Sequence, residues 1–190
     1  MSTDRIRLGI SACLLGERVR FDSGHKREPF LVESLGQFVD WVSVCPEVES
    51  GMGAPREAMR LVRVDDEVRL LTNKTAQDKT VMLRHFSSRR VNELAEEDLC
   101  GFVLKKDSPS CGLERVKVYS PGGVPTKTGR GLFAEALAAR FPLLPVEEEG
   151  RLNDPRLREN FVERIFAYRR LVTLFAKRWT MGDVVRFHTA

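Results

Sequence analysis

Three of the four cysteines share a local design that suits metal or nucleophile chemistry. Cys13 (ISACLLG), Cys45 (VSVCPEVESG) and Cys111 (SPSCG) each sit in the first turn after an apolar, strand-like run, beside Gly or Pro. Such neighbours suit loops whose amides must point at a ligand. Three thiolates on one rim repel each other unless a cation neutralises them. Spacing alone leaves zinc, a 4Fe–4S cluster with one open iron, or no ligand at all. Structural zinc usually draws on CxxC pairs, which are missing here, and open-site zinc more often uses histidine. His25, His85 and His188 occur in unrelated contexts. Cys100 differs: it opens an apolar strand and reads as core.

The elements that must position these residues alternate in kind. Residues 5–12 read as a buried strand running into Cys13, followed by a Gly/Pro-punctuated loop. Residues 30–38 have helical spacing, and 41–44 form a second strand that stops at Cys45-Pro46. Residues 59–71 read as a hairpin turning at Asp65-Asp66. Residues 78–97 are an amphipathic helix, with Val81, Met82, His85, Phe86, Val91 and Leu94 as inner-face candidates. A third strand at 100–105 leads to the Cys111 loop; 116–119 is another short strand, 132–140 a helix and 141–145 an extended apolar piece.

This order predicts an α/β fold, with a Rossmann-like, mostly parallel sheet, flanking helices and a C-terminal helical extension. In such a sheet the loops at the strands' C-terminal ends converge on one rim. The expected division is a domain at 1–146, then a polar linker (Glu147-Glu148-Glu149-Gly150) and a helical lead-in over 147–190, with Asp154-Pro155 opening a long helix to about Trp179.

Composition narrows the class. A hydrophobic fraction of 42% with 31% charged residues is that of a globular chain rather than a disordered one. No apolar run is long enough to span a membrane, and the first residues lack a leader's apolar core, so the cytoplasm is the expected location, with no membrane partner; the oligomeric state is left open, with a monomer slightly favoured. Reduced thiols fit that compartment. The net charge of +4 is mild, but 151–190 carries nine basic against four acidic residues. A solvated helix face and a polyanion contact explain that surplus equally well.

Three strings in order, SACLLGERVRFDSGHK, CPEVESGMGAPREAMRLV and LKKDSPSCG, resemble the thiouracil desulfidase (TudS) family over about residues 5–145. The resemblance implies that Cys13, Cys45 and Cys111 hold a 4Fe–4S cluster whose fourth iron binds the substrate sulfur, and that Glu47 and Ser108 take part in the chemistry. The segment RLNDPRLRENFVERIFAYRR…FHTA resembles the lead-in to a second domain in a fused branch acting on 4-thiouridine in tRNA; the chain is expected to stop short of that domain. A thiolated pyrimidine, in tRNA, is therefore the expected partner, with free thiouracil or thiouridine as the alternative substrate.

The surrounding residues admit matching roles. Glu47, two residues beyond Cys45, is placed to assist water attack; a loop-stapling Glu is the plainer reading. Ser108 suits catalysis, or a turn cap, and Ser110 suits a hydrogen bond to the pyrimidine edge. Lys105 suits stabilisation of developing negative charge, or solvation of a strand end. Arg18, Arg20, His25, Lys26, Arg56 and Arg60 are candidates for phosphate or pyrimidine contacts. Against the enzyme stand a non-catalytic metal-binding module and an iron–sulfur sensor or electron carrier.

Overall fold

The computed structural model describes residues 5–189. Its centre is a four-stranded parallel sheet in the order β2-β1-β5-β8, built from β1 (Ile6–Ser11), β2 (Val39–Val44), β5 (Phe102–Leu104) and β8 (Val146–Glu148). Strand register aligns their C-terminal ends. Ser11 pairs with Val44, Ile10 with Val103, and Leu104 with Glu148, so the four strands end nearly level at one rim.

Both faces of this sheet are covered, as is usual for a parallel sheet. Leu8, Ile10 and Val103 pack with Leu31 and with Phe161 and Ile165 of α3 (Pro155–Phe175) on one side. Phe102 and Leu104 pack on the other with Val91 of α1 (Thr80–Glu93) and with Phe133 and Leu137 of α2 (Leu132–Arg140). Gly9 is needed where β1 meets β5, because a Cβ there would fall 2.1 Å from the Phe102 ring. Cys100 lies in the core, as its apolar surroundings foretold.

The hairpin belongs to a second, mixed sheet in the order β4-β3-β6-β7. Strands β3 (Met59–Val64) and β4 (Glu67–Thr72) meet at Asp65-Asp66, whose φ values of 46° and 65° are those of a two-residue hairpin turn. Strand β6 (Val116–Tyr119) runs parallel to β3, and β7 (Pro125–Gly129) folds back on β6. Leu61, Leu70, Val116 and Val118 bury this sheet's inner face against Leu83 and Leu132.

Several expectations need correction. The inner face of α1 carries Thr80, Leu83, Phe86, Ser87 and Val91, while Val81, Met82 and His85 are exposed. Choosing Val81 and Met82 over Leu83 set the helical phase wrong. Residues 142–144 turn rather than extend, and the stretch expected to be a polar linker supplies strand β8, with Glu147 and Glu148 buried. Beyond α3 the chain forms a further helix, α4 (Met181–Thr189). Among the described residues, no helix is long and apolar enough to cross a membrane.

Candidate active site

The parallel rim brings the three cysteine loops together. Cys13 follows β1 by two residues, inside a short turn closed by Gly16 at φ 98°. Its carbonyl accepts the Lys26 N–H at 2.9 Å, which draws the following loop over the site. Cys45 directly follows β2; its N–H donates to Oε1 of Glu49 at 2.6 Å, and Arg90 of α1 pairs with the same carboxylate at 3.2 Å. Cys111 sits in a loop held by Ser108, whose Oγ accepts the N–H groups of Ser110 at 3.2 Å and Cys111 at 3.1 Å. The first amides of α2 close the arrangement by donating to the carbonyls of Pro109 and Ser110.

All three thiols line one cavity of about 370 Å³. Burial pushes the Cys13 thiol up to about 11, opposed chiefly by the nearby Lys105 charge. Burial also raises Cys45, and it raises Cys111 far more; a hydrogen bond with Ser11 opposes the rise at Cys111, while the charges of Glu47, Cys13 and Cys45 add to it. Three such thiols ionise together only with a cationic group among them. Among the described residues, no three His, Cys, Asp or Glu side chains are grouped to hold a metal ion. A mononuclear ion needs ligand atoms gathered within about 2.3 Å of one point. Three soft sulfur donors on one wall are of the type that iron–sulfur clusters use.

Glu47 joins the same wall and is held from two sides. Ser110 Oγ donates to its Oε1 at 2.7 Å, and the Arg56 guanidinium donates twice to Oε2, through Nε at 2.7 Å and through Nη2. Arg56 also donates to the carbonyls of Val19 at 2.9 Å and Gly53 at 2.6 Å, so its fork ties three segments together. A carboxylate has about four acceptor sites, so these three bonds fill Oε2 and leave one site on Oε1.

Lys105 also lines the wall, its Nζ ion-paired with Glu149 and donating to the Lys106 carbonyl at 2.9 Å. Glu149 Oε2 accepts the Lys106 N–H at 2.6 Å. Glu148 reaches the Cys111 loop by accepting the Leu113 N–H at 2.8 Å, and Glu147 pairs with Arg151. Strand β8 therefore ties down the segment between Lys105 and Leu113.

The structure sorts the remaining expectations. Ser108, Arg20, Lys26 and Arg56 line the cavity with the cysteines. Ser110 is fully buried off the wall, with its hydroxyl given to Glu47, so it corrects from a pyrimidine contact to a support for Glu47. His25 is exposed outside the cavity, where its Nδ1 accepts the Arg27 N–H at 3.2 Å. Arg18 and Arg60 also lie outside the wall, Arg60 over the Tyr119 ring. The sequence reading missed Ser11, Glu148 and Glu149. Ser11 opens the first cysteine motif but stands at the end of an apolar run, where it reads as part of the strand, and a run of glutamates is usually solvated.

The model of the 2-thiouracil desulfurase family matches residues 8–149, a span containing every residue of the cavity wall. The chain belongs to that family. This family member is similar to the uncharacterized protein YbbK of Bacillus subtilis (strain 168), with 26% identity over 111 residues, 54% of the chain and 71% of YbbK. It also resembles the solved structure of the [4Fe-4S]-dependent thiouracil desulfidase TudS, with a TM-score of 0.65 and 26% identity across 83% of the chain and 99% of TudS. The resemblance carried by the three cysteine motifs is thereby borne out.

Proposed function

We propose that the chain is an iron–sulfur-dependent desulfidase that holds a 4Fe–4S cluster through Cys13, Cys45 and Cys111 and removes sulfur from 4-thiouridine in tRNA, giving uridine and sulfide. The observation that carries this reading is the sharing of one cavity wall by three soft sulfur donors and Glu47. When bound, such a cluster supplies an iron free of protein ligands, a soft Lewis acid matched to a thiocarbonyl sulfur.

The chain's own residues account for the rest. Replacing C=S by C=O consumes one water and releases hydrogen sulfide, with no net oxidation or reduction. Glu47 takes a proton from the attacking water, and Arg56 and Ser110 hold its carboxylate in place while it does so. Lys105, anchored by Glu149, stabilises negative charge developing at the reacting carbon's substituents. Ser108 shapes the Cys111 loop and presents its hydroxyl at the wall. Arg20 and Lys26 sit at the wall as cationic partners for a nucleotide phosphate. In tRNA the base must be unstacked to enter, and the basic surplus of 151–190 adds affinity for the backbone. Free reduced cysteines fit a cytoplasmic setting.

Free thiouracil is the second reading, favoured by the likeness to TudS, a thiouracil desulfidase. Anaerobically isolated protein should be brown, carry about four irons per chain and release sulfide from thiolated tRNA faster than from nucleoside or base. Cys45→Ala should lose the iron, Cys100→Ala should keep it, and Glu47→Ala should keep the iron but lose turnover. Zinc in place of iron, or turnover by colourless protein, would refute the reading; faster turnover of free base would transfer it to the second.

A further inference from the structure

The second sheet presents an outer face that none of the site chemistry uses. Its strands alternate, so Leu61, Val116 and Val118 turn inward while Arg60, Lys117 and Tyr119 occupy the opposite side. The register sets the spacing there. Leu61 pairs with Val118 in parallel, which puts Arg60 level with Lys117, and Lys117 pairs directly with Lys127 of β7. Three cations thus stand in a row across adjacent strands about 4.8 Å apart.

Two features mark this row as more than a solvated edge. Like charges placed directly opposite across a sheet destabilise it, yet Lys117 faces Lys127. Among the described residues, no carboxylate forms an ion pair with Arg60, Lys117 or Lys127, whereas Arg69 on the neighbouring β4 is paired with both Glu67 and Asp78. Beside the row, Arg60 stacks over Tyr119 at 5.1 Å, a cation and an aromatic ring joined on one exposed surface. The row begins where the cavity ends, since Ala58 and Met59 line the wall and Arg60 is the next residue.

We propose that this face, centred on Arg60, Lys117 and Lys127 with Tyr119 beside them, is a docking surface for the phosphate backbone of RNA whose modified base enters the cavity. The proposal rests on the tRNA reading above, which it deepens by naming where the nucleic acid lies. Backbone phosphates relieve the Lys117–Lys127 repulsion, and the Tyr119–Arg60 pair offers a platform for an unstacked base.

The test uses the full chain and unmodified tRNA binding measured against salt, so it does not depend on turnover. Lys117→Glu converts the repulsive cross-strand pair into an attractive one; it should melt no lower than the wild type while binding tRNA about tenfold more weakly at moderate salt. Lys117→Gln combined with Lys127→Gln should reduce the slope of log affinity against log salt by about two. Turnover of the free thionucleoside should be unchanged in both. Wild-type affinity in both variants, or no tRNA binding by the wild type at low salt, would overturn the surface. Absence of turnover on every thiolated pyrimidine would instead refute the desulfidase reading, with the binding measurement still deciding the surface.

Discussion

Ser110 donates a 2.7 Å hydrogen bond to Glu47 across 63 residues of chain, joining the Cys111 loop to the Cys45 loop at the cavity wall. The serine is buried, so its hydroxyl orients the carboxylate without reaching substrate. A hydrogen bond to a charged group contributes about 1.5–3 kcal/mol. Ser110→Ala should therefore keep its iron, keep its KM, and lose about tenfold or more in kcat. A raised KM with unchanged kcat would mean that Ser110 binds substrate after all.

Lys105 and Glu149 form a second coupled pair, tied to the same strip of backbone through Lys106. If Glu149 works by holding the ammonium, removing it after Lys105 is gone should cost nothing more. Kinetics of Lys105→Ala, Glu149→Gln and the double variant form the cycle. The expected result is a double variant no slower than Lys105→Ala alone, and strict additivity would uncouple the two.

Burial raises the pKa of Glu148, against the pull of the Leu113 and Glu114 amides. A carboxyl whose folded value lies above its unfolded one favours folding most while protonated, and that advantage fades as pH rises through the folded value. Glu148→Gln keeps an acceptor for the Leu113 amide and removes the buried charge. Thermal melts should show the wild type losing ground to this variant as pH rises above the ordinary glutamate range. The opposite slope would mean that the amides, not burial, dominate this carboxylate.

Gly131 marks the tightest backbone approach to the site, with a Cβ at that position falling 2.5 Å from the carbonyl of Ser110. Because backbone has little room to yield, Gly131→Ala should destabilise the protein by about 1–3 kcal/mol and weaken iron retention. An unchanged melting temperature would show that the α2 start and the Cys111 loop separate easily.

Much of this site was legible in residue types. Cys13 and Cys45 directly end apolar runs, and a parallel sheet sends such ends to one rim, so their meeting could be inferred from strand patterning. Cys111 was legible from its Ser-Pro-Ser-Cys-Gly turn chemistry. The hairpin at Asp65-Asp66 announced itself by alternation on both sides. Strand β7 did not, because Pro125–Gly129 is polar and exposed along nearly its whole length. Glu147 and Glu148 were misread for the reverse reason: their charges suggest solvent, while each finds an amide or a guanidinium that makes burial tolerable. Ser110 was placed in the right loop but on the wrong side of Glu47, a distinction that depends on which way one buried hydroxyl turns.

Strand β8 has a further consequence for how the chain divides. It straddles the boundary that composition suggests near residue 146, and α3 beyond it fills the core against Leu8 and Ile10. Trimming the chain at that apparent seam would strip an edge from the parallel sheet and remove the struts beneath the Cys111 loop. The apparent seam therefore runs through the packed core rather than beside it.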